Sequence, residues 1–488
     1  MDTIISSTYL GKKGYVLLKN TLTVNELKEI KNQLTAKPKV IGSNIGGGIP
    51  KTFPVYRESL KKIYVPRYFG INKFGPVIEN QLPSGISINV PFLGSLRNHQ
   101  IPAVNAYLHY CSLTSHACGL LELDCAAGKT VLSLYIISSL KTKTLIIVNK
   151  EFLLNQWIER ITEFLPTARI GKIQGKIIDI EDKDIVIGML QSLSMKEYDS
   201  NLFDSFGFTI LDEVHHISSE VFSNALFKIV TKYMLGLSAT LERKDGTSDI
   251  IKMFLGEVIY KGISLEKHDV DVRAIQYITD NEEFNKIETD QRGNIMYSTM
   301  IVKLCNYQPR SDFIVKIVQD LIHEDSKKQI IILGHNRSLL YYLYNTILEK
   351  NFASVGYYLG GMKQTILDES RNKQIIVGSH SMCSEGLDIA TLSTLIFVTP
   401  KTDIVQSVGR ILRTKHNNPI VIDIIDNHVL FQNQWKKRQS FYKKENYLIQ
   451  MTTSNKYIDM SDMNNSKIWK KNDIIPIKLQ SQCLINHG

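Results

Sequence analysis

Phe208-Thr209-Ile210-Leu211-Asp212-Glu213-Val214-His215 passes without a break from an apolar run to two adjacent carboxylates. A short apolar run bounded by polar residues has the texture of a strand buried on both faces. A carboxylate just past such a strand can hold Mg²⁺ while its neighbour orients and deprotonates a water, the pairing that nucleoside triphosphate hydrolysis needs. An acidic pair at a strand end is often only a surface turn, so the surroundings carry the weight.

Upstream, Ala127-Gly128-Lys129-Thr130 stands directly before the helical run Val131 to Leu140. This is P-loop chemistry: backbone N–H groups and a helix N-terminus receive phosphate, Lys129 reaches the β/γ oxygens, and Thr130 holds Mg²⁺. The match to GxxxxGK[ST] is incomplete, because Leu123 takes the first glycine's place and Ala126 stands where many such loops have glycine. Asp212 lies 83 residues beyond Lys129, room for a further βαβ set between them. Downstream, Ser238-Ala239-Thr240 comes after the apolar Leu235-Gly236-Leu237, and hydroxyls at that strand end can couple the Mg²⁺ site to a second domain.

Other runs extend the pattern. Leu145 to Val148 and Asp184 to Gly188 flank helical stretches, and a second series comes at Gln329 to Leu333, Gln374 to Val377, Thr394 to Val398 and Pro419 to Asp423. The expected fold is α/β, with two tandem parallel-sheet domains behind a small basic α+β domain. The expected boundaries are 1–94 for the basic accessory domain, 95–262 and 263–450 for the two sheet domains, and 451–488 for a tail without clear period. In the first segment Gly14 to Leu18 reads as a strand and Thr23 as the cap of a helix through Leu34. Gly42 to Pro50 is a glycine-rich loop with no Gly-Lys-Ser/Thr after it, hence a connection.

The chain has 488 residues and a formal net charge of +10. Residues 1–90 hold 13 Lys/Arg against 5 Asp/Glu, so nearly all the excess lies in the first fifth. Such a module suits a polyanion partner, because Lys and Arg gain by displacing counterions from phosphates, although a solvated surface has the same composition. With 43% hydrophobic and 22% charged residues the composition is globular and excludes a mainly disordered chain. No apolar run nears the roughly 18 residues that span a bilayer. The N-terminus lacks the basic-then-apolar order of a secretory signal, and six cysteines suit a reducing compartment better than a disulfide scaffold.

Further residues divide between chemistry and packing. Gln406-Ser-Val-Gly409-Arg410-Ile-Leu-Arg413 puts two arginines at i and i+3, placed to act as arginine fingers worth about 10³–10⁵ in rate. Gly378 to Ile389 is a strand-loop signal whose Gly386 and Asp388 can approach ribose or phosphate. His109, Cys111, His116, Cys118 and Cys125 recur at sevens, which suits one helix face better than a zinc site. Tyr341-Tyr342 and Tyr357-Tyr358 suit packing better than base stacking. Trp435-Lys-Lys-Arg438 suits a helix closing the second sheet with a solvated basic face.

In order, these segments resemble the motif series of the superfamily 2 helicases across roughly residues 95–445. Arg97-Asn-His-Gln100 resembles the adenine-reading element. AGKT at 127–130 is similar to motif I, Val148 to Trp157 to motif Ia, and Ile187 to Ser192 to motif Ib. Asp212 to His215 resembles a DExH box and Ser238 to Thr240 motif III. Ile330 to Arg337, Gly378 to Asp388 and Gln406 to Arg413 resemble motifs IV, V and VI. SATLERKDG (238–246), with its Arg243 and Asp245, and LGEVIY (255–260) are similar to the XPB/UvsW-like branch. Together with FPVYRESLKKIYVPRYFGINKFGP (53–76) and LRNHQ, they resemble the poxvirus transcript-release (transcript termination) DNA helicases.

The resemblance implies that the two sheet domains are RecA-like motor domains of an ATP- and Mg²⁺-dependent DNA helicase with 3′-to-5′ polarity. It would free nascent RNA from a viral RNA polymerase elongation complex, in the virion and the host cytoplasm. By that resemblance Arg97 and Gln100 read the base, while Ala126, Ala127, Gly128, Lys129, Thr130, Gly386, Asp388 and Gln406 hold nucleotide. Asp212 and Thr130 hold Mg²⁺, Glu213 activates water, and Arg410 and Arg413 complete the site. Lys150, Gln191, Ser192, Arg243 and Ser379 would contact single-stranded or duplex DNA, and His215, Ser238 and Thr240 would couple the events. Two rivals stand beside this: a catalytically weak clamp on nucleic acid or polymerase, and an RNA helicase of the DExH class.

Overall fold

The computed structural model describes residues 8–38, 52–77, 79–114, 117–124, 127–199, 201–214, 219–239, 248–262, 269–382, 387, 389–412 and 419–461. The chain divides into two compact units, Met1–Ser264 and Leu265–Gly488. The division falls two residues beyond the 262/263 boundary expected from the sequence.

The first unit begins with short strands: β1 (Tyr9–Gly11), β2 (Gly14–Leu18), β3 (Thr35–Ala36), β4 (Phe53–Pro54), β5 (Arg57–Glu58), β6 (Lys62–Val65) and β7 (Glu79–Asn80). Five make a sheet in the order β5-β6-β2-β1-β7, and β3 pairs with β4. The helix Val24–Gln33 starts on a capping box: Thr23 Oγ1 accepts from the Glu26 amide, and the Glu26 carboxylate accepts from the Thr23 amide. A second helix, Arg67–Phe74, lies so close to β2 that a Cβ at Gly70 would stand 2.2 Å from the Tyr15 ring. Gly42 to Pro50 lies outside the described residues.

This module shares its apolar core with the larger sheet of the same unit. Tyr15, Leu17, Ile63 and Val65 join Leu120, Leu145, Val186 and Phe254 in one cluster. Arg67, 2% exposed, donates from Nη2 to the Thr231 carbonyl at 2.6 Å and from Nη1 to Cys118 Sγ. Tyr68 Oη donates to the Cys118 carbonyl at 3.0 Å. Segment 1–94 is therefore packed into the first unit as part of its core.

The larger sheet consists of β8 (Cys118–Glu122), β9 (Thr144–Val148), β10 (Ile170–Gln174), β11 (Ile177–Ile178), β12 (Ile185–Met189), β13 (Phe208–Leu211), β14 (Tyr233–Ser238) and β15 (Val258–Lys261). Its order is β11-β10-β12-β9-β13-β14-β8-β15, and every pairing except the β10–β11 hairpin is parallel. Successive residues serve opposite faces: Leu145 and Ile147 join one core, Ile146 and Val148 the other. Burial on both faces explains why these strands lack apolar–polar alternation. The expected single helix face through residues 109–125 is not formed. The helix Ile101–Leu113 ends before Cys118, which lies on β8; Gly119 and two leucines make that segment a buried strand.

The second unit repeats the plan with β16 (Asp271–Tyr277), β17 (Gln329–Gly334), β18 (Val355–Tyr358), β19 (Ile375–Ser379), β20 (Leu392–Phe397), β21 (Ile420–Asp426) and β22 (Leu448–Thr453). The order is β18-β19-β17-β20-β21-β16-β22, parallel throughout. This unit departs from the sequence expectation at two places. The expected tail begins instead as ordered structure, because β22 pairs with β16 and the helix Ser454–Ser461 comes directly after. Arg438 is not on a solvated face: it is buried against Asp423 within the helix Val429–Lys444. Tyr344 and Tyr357 stack with ring centroids 4.0 Å apart. Among the described residues no helix is long and apolar enough to cross a membrane.

Candidate nucleotide site

In parallel sheets, ligands collect beyond the carboxyl ends of the strands. In the first unit β13, β14 and β8 are neighbours in that order, so the residues leaving all three meet at one edge. Beyond β8, the Leu123 amide donates to the Ser238 carbonyl at 2.8 Å, tying the loop to the end of β14. Gly128 turns with φ 70° and opens the helix Lys129–Leu140. A Cβ there would meet Gln100 Nε2 at 2.4 Å, so glycine is required for space as well as for backbone sign.

Gln100 is buried and uses both ends of its amide. Nε2 donates to the carbonyls of Ala127 at 3.0 Å and Gly128 at 3.2 Å, and Oε1 accepts from the Arg97 amide at 2.9 Å. The Arg97-to-Gln100 turn thus rests on the phosphate loop, with the Arg97 side chain exposed.

Lys129, 8% exposed, places Nζ 3.0 Å from Glu213 Oε1. Glu213 adopts φ 49°, a left-handed conformation that is costly for a residue with a Cβ and concentrated at functional sites. Asp212 Oδ2 accepts a 2.9 Å hydrogen bond from Trp157 Nε1, and its amide donates to the Ile147 carbonyl at 3.0 Å. Burial, and then the neighbouring Glu213 carboxylate, raise the Asp212 carboxyl above the ordinary range, against the opposing pull of Lys129 and the Trp157 donor. Among the described residues two buried carboxylates and one ammonium stand between phosphate loop and strand end, and the hard oxygens of Asp212 and half-buried Thr130 suit Mg²⁺.

Of the expected site, the first unit brings together Gln100, Ala127, Gly128, Lys129, Thr130, Asp212, Glu213 and Ser238. Ala126, His215, Thr240, Arg243, Gly386, Asp388 and Arg413 lie outside the described residues. Lys150, Gln191 and Ser192 gather at the same sheet edge: Gln191 Nε2 donates to the Asn149 carbonyl at 2.9 Å, and Ser192 Oγ accepts from the Gly175 amide at 2.9 Å.

In the second unit, Ser379 ends β19 with its hydroxyl 3.3 Å from that of Ser381. Gln406 lies on the short helix Val405–Gly409, and Arg410 opens a 3-10 turn instead of continuing one helical face. The Arg410 side chain is buried and donates from Nη1 to the Leu387 carbonyl at 3.2 Å.

Sequence reasoning misses three supporting residues. Trp157 falls within a motif, but its bond to Asp212 leaves no local signal. Arg310 and Arg438 are the others. Arg310 pairs with Asp426 through Nε at 2.6 Å and Nη2 at 2.9 Å, and Nη2 also donates to the Val398 carbonyl at 3.0 Å. Arg438 pairs with Asp423 at 2.8 Å through both Nε and Nη2, and Nη1 donates to the Lys401 carbonyl at 2.7 Å. Asp423 and Asp426 both sit on β21, so two buried ion pairs hold the segment Val398–Lys401 that leads to Arg410.

The profile of the family described as Type III restriction enzyme, res subunit, matches residues 93–243. A protein of Acanthamoeba polyphaga mimivirus, named as an ATP-dependent RNA helicase, is 35% identical over 478 residues, covering 96% of this chain and 90% of its own. A protein of Invertebrate iridescent virus 6 named as a helicase is 25% identical, covering 85% and 95%. Among solved structures, S. cerevisiae Dbp5 bound to RNA and ADP BeF3 aligns with a TM-score of 0.52 at 11% identity, over 75% of this chain and 96% of that one. T4 UvsW aligns with a TM-score of 0.36 at 18% identity, over 92% and 99%.

Proposed function

The chain belongs to the superfamily 2 helicases, nucleic-acid-dependent ATPases, and from that membership we propose that it is a motor that moves along DNA to release nascent transcripts. The carrying observation is the buried Lys129–Glu213 pair beside Asp212. Lys129 and Thr130 would hold triphosphate and Mg²⁺ with Asp212, and Glu213 would take the proton of the attacking water. Arg410 and Arg413 would neutralise the charge that develops on the phosphoryl oxygens. Gln100, bonded to Ala127 and Gly128, would register the adenine and transmit its presence to the phosphate loop. ATP binding and hydrolysis would alternate two states of different affinity for the strand, and Lys150, Gln191, Ser192 and Ser379 would contact its sugar-phosphate track.

Polarity of 3′ to 5′, action on a viral polymerase elongation complex and residence in the virion and host cytoplasm come from resemblance to the poxvirus transcript-release helicases. Action on RNA is the second reading, favoured by the name of the mimivirus relative. Comparing DNA with RNA as stimulators of ATP hydrolysis separates the two. Glu213→Gln should keep nucleotide binding and lose about 10²–10⁴-fold in turnover, the range for removing a general base. Unimpaired hydrolysis by that variant overturns the assignment. Release of RNA from a stalled elongation complex, scored against Lys129→Ala, tests the physiological role.

A further inference from the structure

In the second sheet β19, β17 and β20 are neighbours in that order, with Gly334 opposite Ser379 and Leu333 opposite Phe397. The residues that come next leave the carboxyl edge side by side, and two of them are histidines. His335 and His380 lie with ring centroids 4.4 Å apart, and the Phe397 ring stacks on His380 at 5.9 Å. Thr399 ties the three strand ends together. Its Oγ1 accepts from the His335 amide at 3.0 Å and lies 3.3 Å from His380 Nε2. Thr399 is 1% and His380 3% exposed, and His380 Nδ1 is buried with no hydrogen-bond partner among the described residues.

This is a poor place for an added proton. A charged imidazole carries two N–H donors, and the one at His380 Nδ1 would have no acceptor. Burial, and then Lys401, hold the His335 imidazole below its ordinary range against a backbone bond to Pro400. Burial, His335, Lys401 and Arg438 hold His380 well below it against a backbone bond to Thr399. Arg438 comes from the helix Val429–Lys444, is paired with Asp423 on β21, and donates to the Lys401 carbonyl. The two rings are therefore neutral at neutral pH, and charging either one sets like charges together at the point where three strands end.

The Ser379 and Ser381 hydroxyls flank His380 in the chain. We propose that His335 and His380, joined through Thr399, form a proton-sensitive clasp that positions the Ser379–Ser381 edge for strand binding only while both imidazoles are neutral. This rests on the helicase reading above. The competent form is the neutral one, so binding is full above the depressed pKa values and falls as pH drops through them, below about 6.5. That sign is opposite to the general trend, because acidification adds positive charge and ordinarily strengthens a protein's hold on a polyanion.

The test uses the full chain and a rhodamine-labelled oligothymidylate, with an oligouridylate in parallel, at constant salt. Binding is read by anisotropy without ATP, because the raised Asp212 carboxyl makes hydrolysis itself pH-dependent. The Kd of the parent should rise at least about fivefold between about pH 7.5 and about pH 5.5, and His335→Asn should hold that rise under about twofold. Thr399→Val should weaken binding at least about fivefold already at about pH 7.5, and Thr399→Ser should restore it. A parental Kd that stays level or falls on acidification overturns the clasp, as does a rise that His335→Asn leaves intact. Parental binding by Thr399→Val overturns it too. So does a loss that coincides with unfolding by circular dichroism, since the histidines would then act on stability alone. A parent that binds neither strand at neutral pH would instead defeat the helicase reading itself.

Discussion

Trp157 shows how much a single donor can contribute to a site it does not line. Its indole N–H is bonded to the carboxylate assigned to the metal, inside a pocket where that carboxylate is already destabilised by burial and by Glu213. Trp157→Phe keeps the packing and removes the donor. Outer-shell losses of this type cost about 10–100-fold in metal affinity or activity. We therefore expect turnover to fall by about tenfold at saturating Mg²⁺, and titration of Mg²⁺ against ATPase rate checks it. Asp184 supplies a pH dependence in the same unit. Its carboxylate accepts from Arg169 Nε, Nη2 and amide, and the side-chain bonds from Arg169 lower its pKa despite the opposing cost of partial burial. A depressed carboxyl contributes stability that is present above its unfolded pKa and lost as pH falls through the folded one. Urea midpoints should therefore decline on acidification below about pH 4, and Asp184→Asn should flatten that decline.

Among elements, legibility in the sequence tracks burial. β9, β12, β13, β17, β19 and β20 are continuous apolar runs because both faces are covered, and such runs announce themselves. β8 does not, because Cys118 falls into a seven-residue spacing that mimics a helix. β22 does not either: Leu448-Ile-Gln-Met-Thr-Thr453 is an edge strand with little apolar periodicity. The phosphate loop and the DExH carboxylates are legible because backbone geometry ties their residue types to their spacing. The ion pairs behind Val398–Lys401 are hidden, since neither Arg438 in its basic run nor Arg310 in the polar Gln308-Pro-Arg-Ser-Asp312 gives a sign that it turns inward. Arg438→Met removes the guanidinium and leaves Asp423 buried, still accepting from Tyr442 Oη. Breaking a buried pair costs about 3–5 kcal/mol. Denaturant unfolding should show that loss, and the double variant with Asp423→Asn should recover part of it.

At the scale of the molecule, the basic module is built into the first unit by Arg67, Tyr68 and a shared core. Arg67 reaches β8, the strand that runs directly into the phosphate loop. Removing residues 1–94 would strip apolar cover from Tyr135, Phe164 and the helix Ser248–Leu255, so a chain starting at 95 should aggregate or unfold instead of retaining hydrolysis. Arg67→Met is the milder form: about 1–3 kcal/mol for the buried partners left unpaired at Thr231 and Cys118, measured as a lowered midpoint in a single cooperative transition of the first unit.

The pairing of β22 with β16 bears on synthesis. β16 is the first strand of the second sheet to leave the ribosome, and both of its neighbours, β21 and β22, come from that unit's last stretch. Through most of translation its backbone donors and acceptors await ladders not yet made. A chaperone that shields extended polypeptide should therefore matter most to this half of the nascent chain, and a stop codon before Leu448 should yield insoluble product even though every helicase motif has been translated.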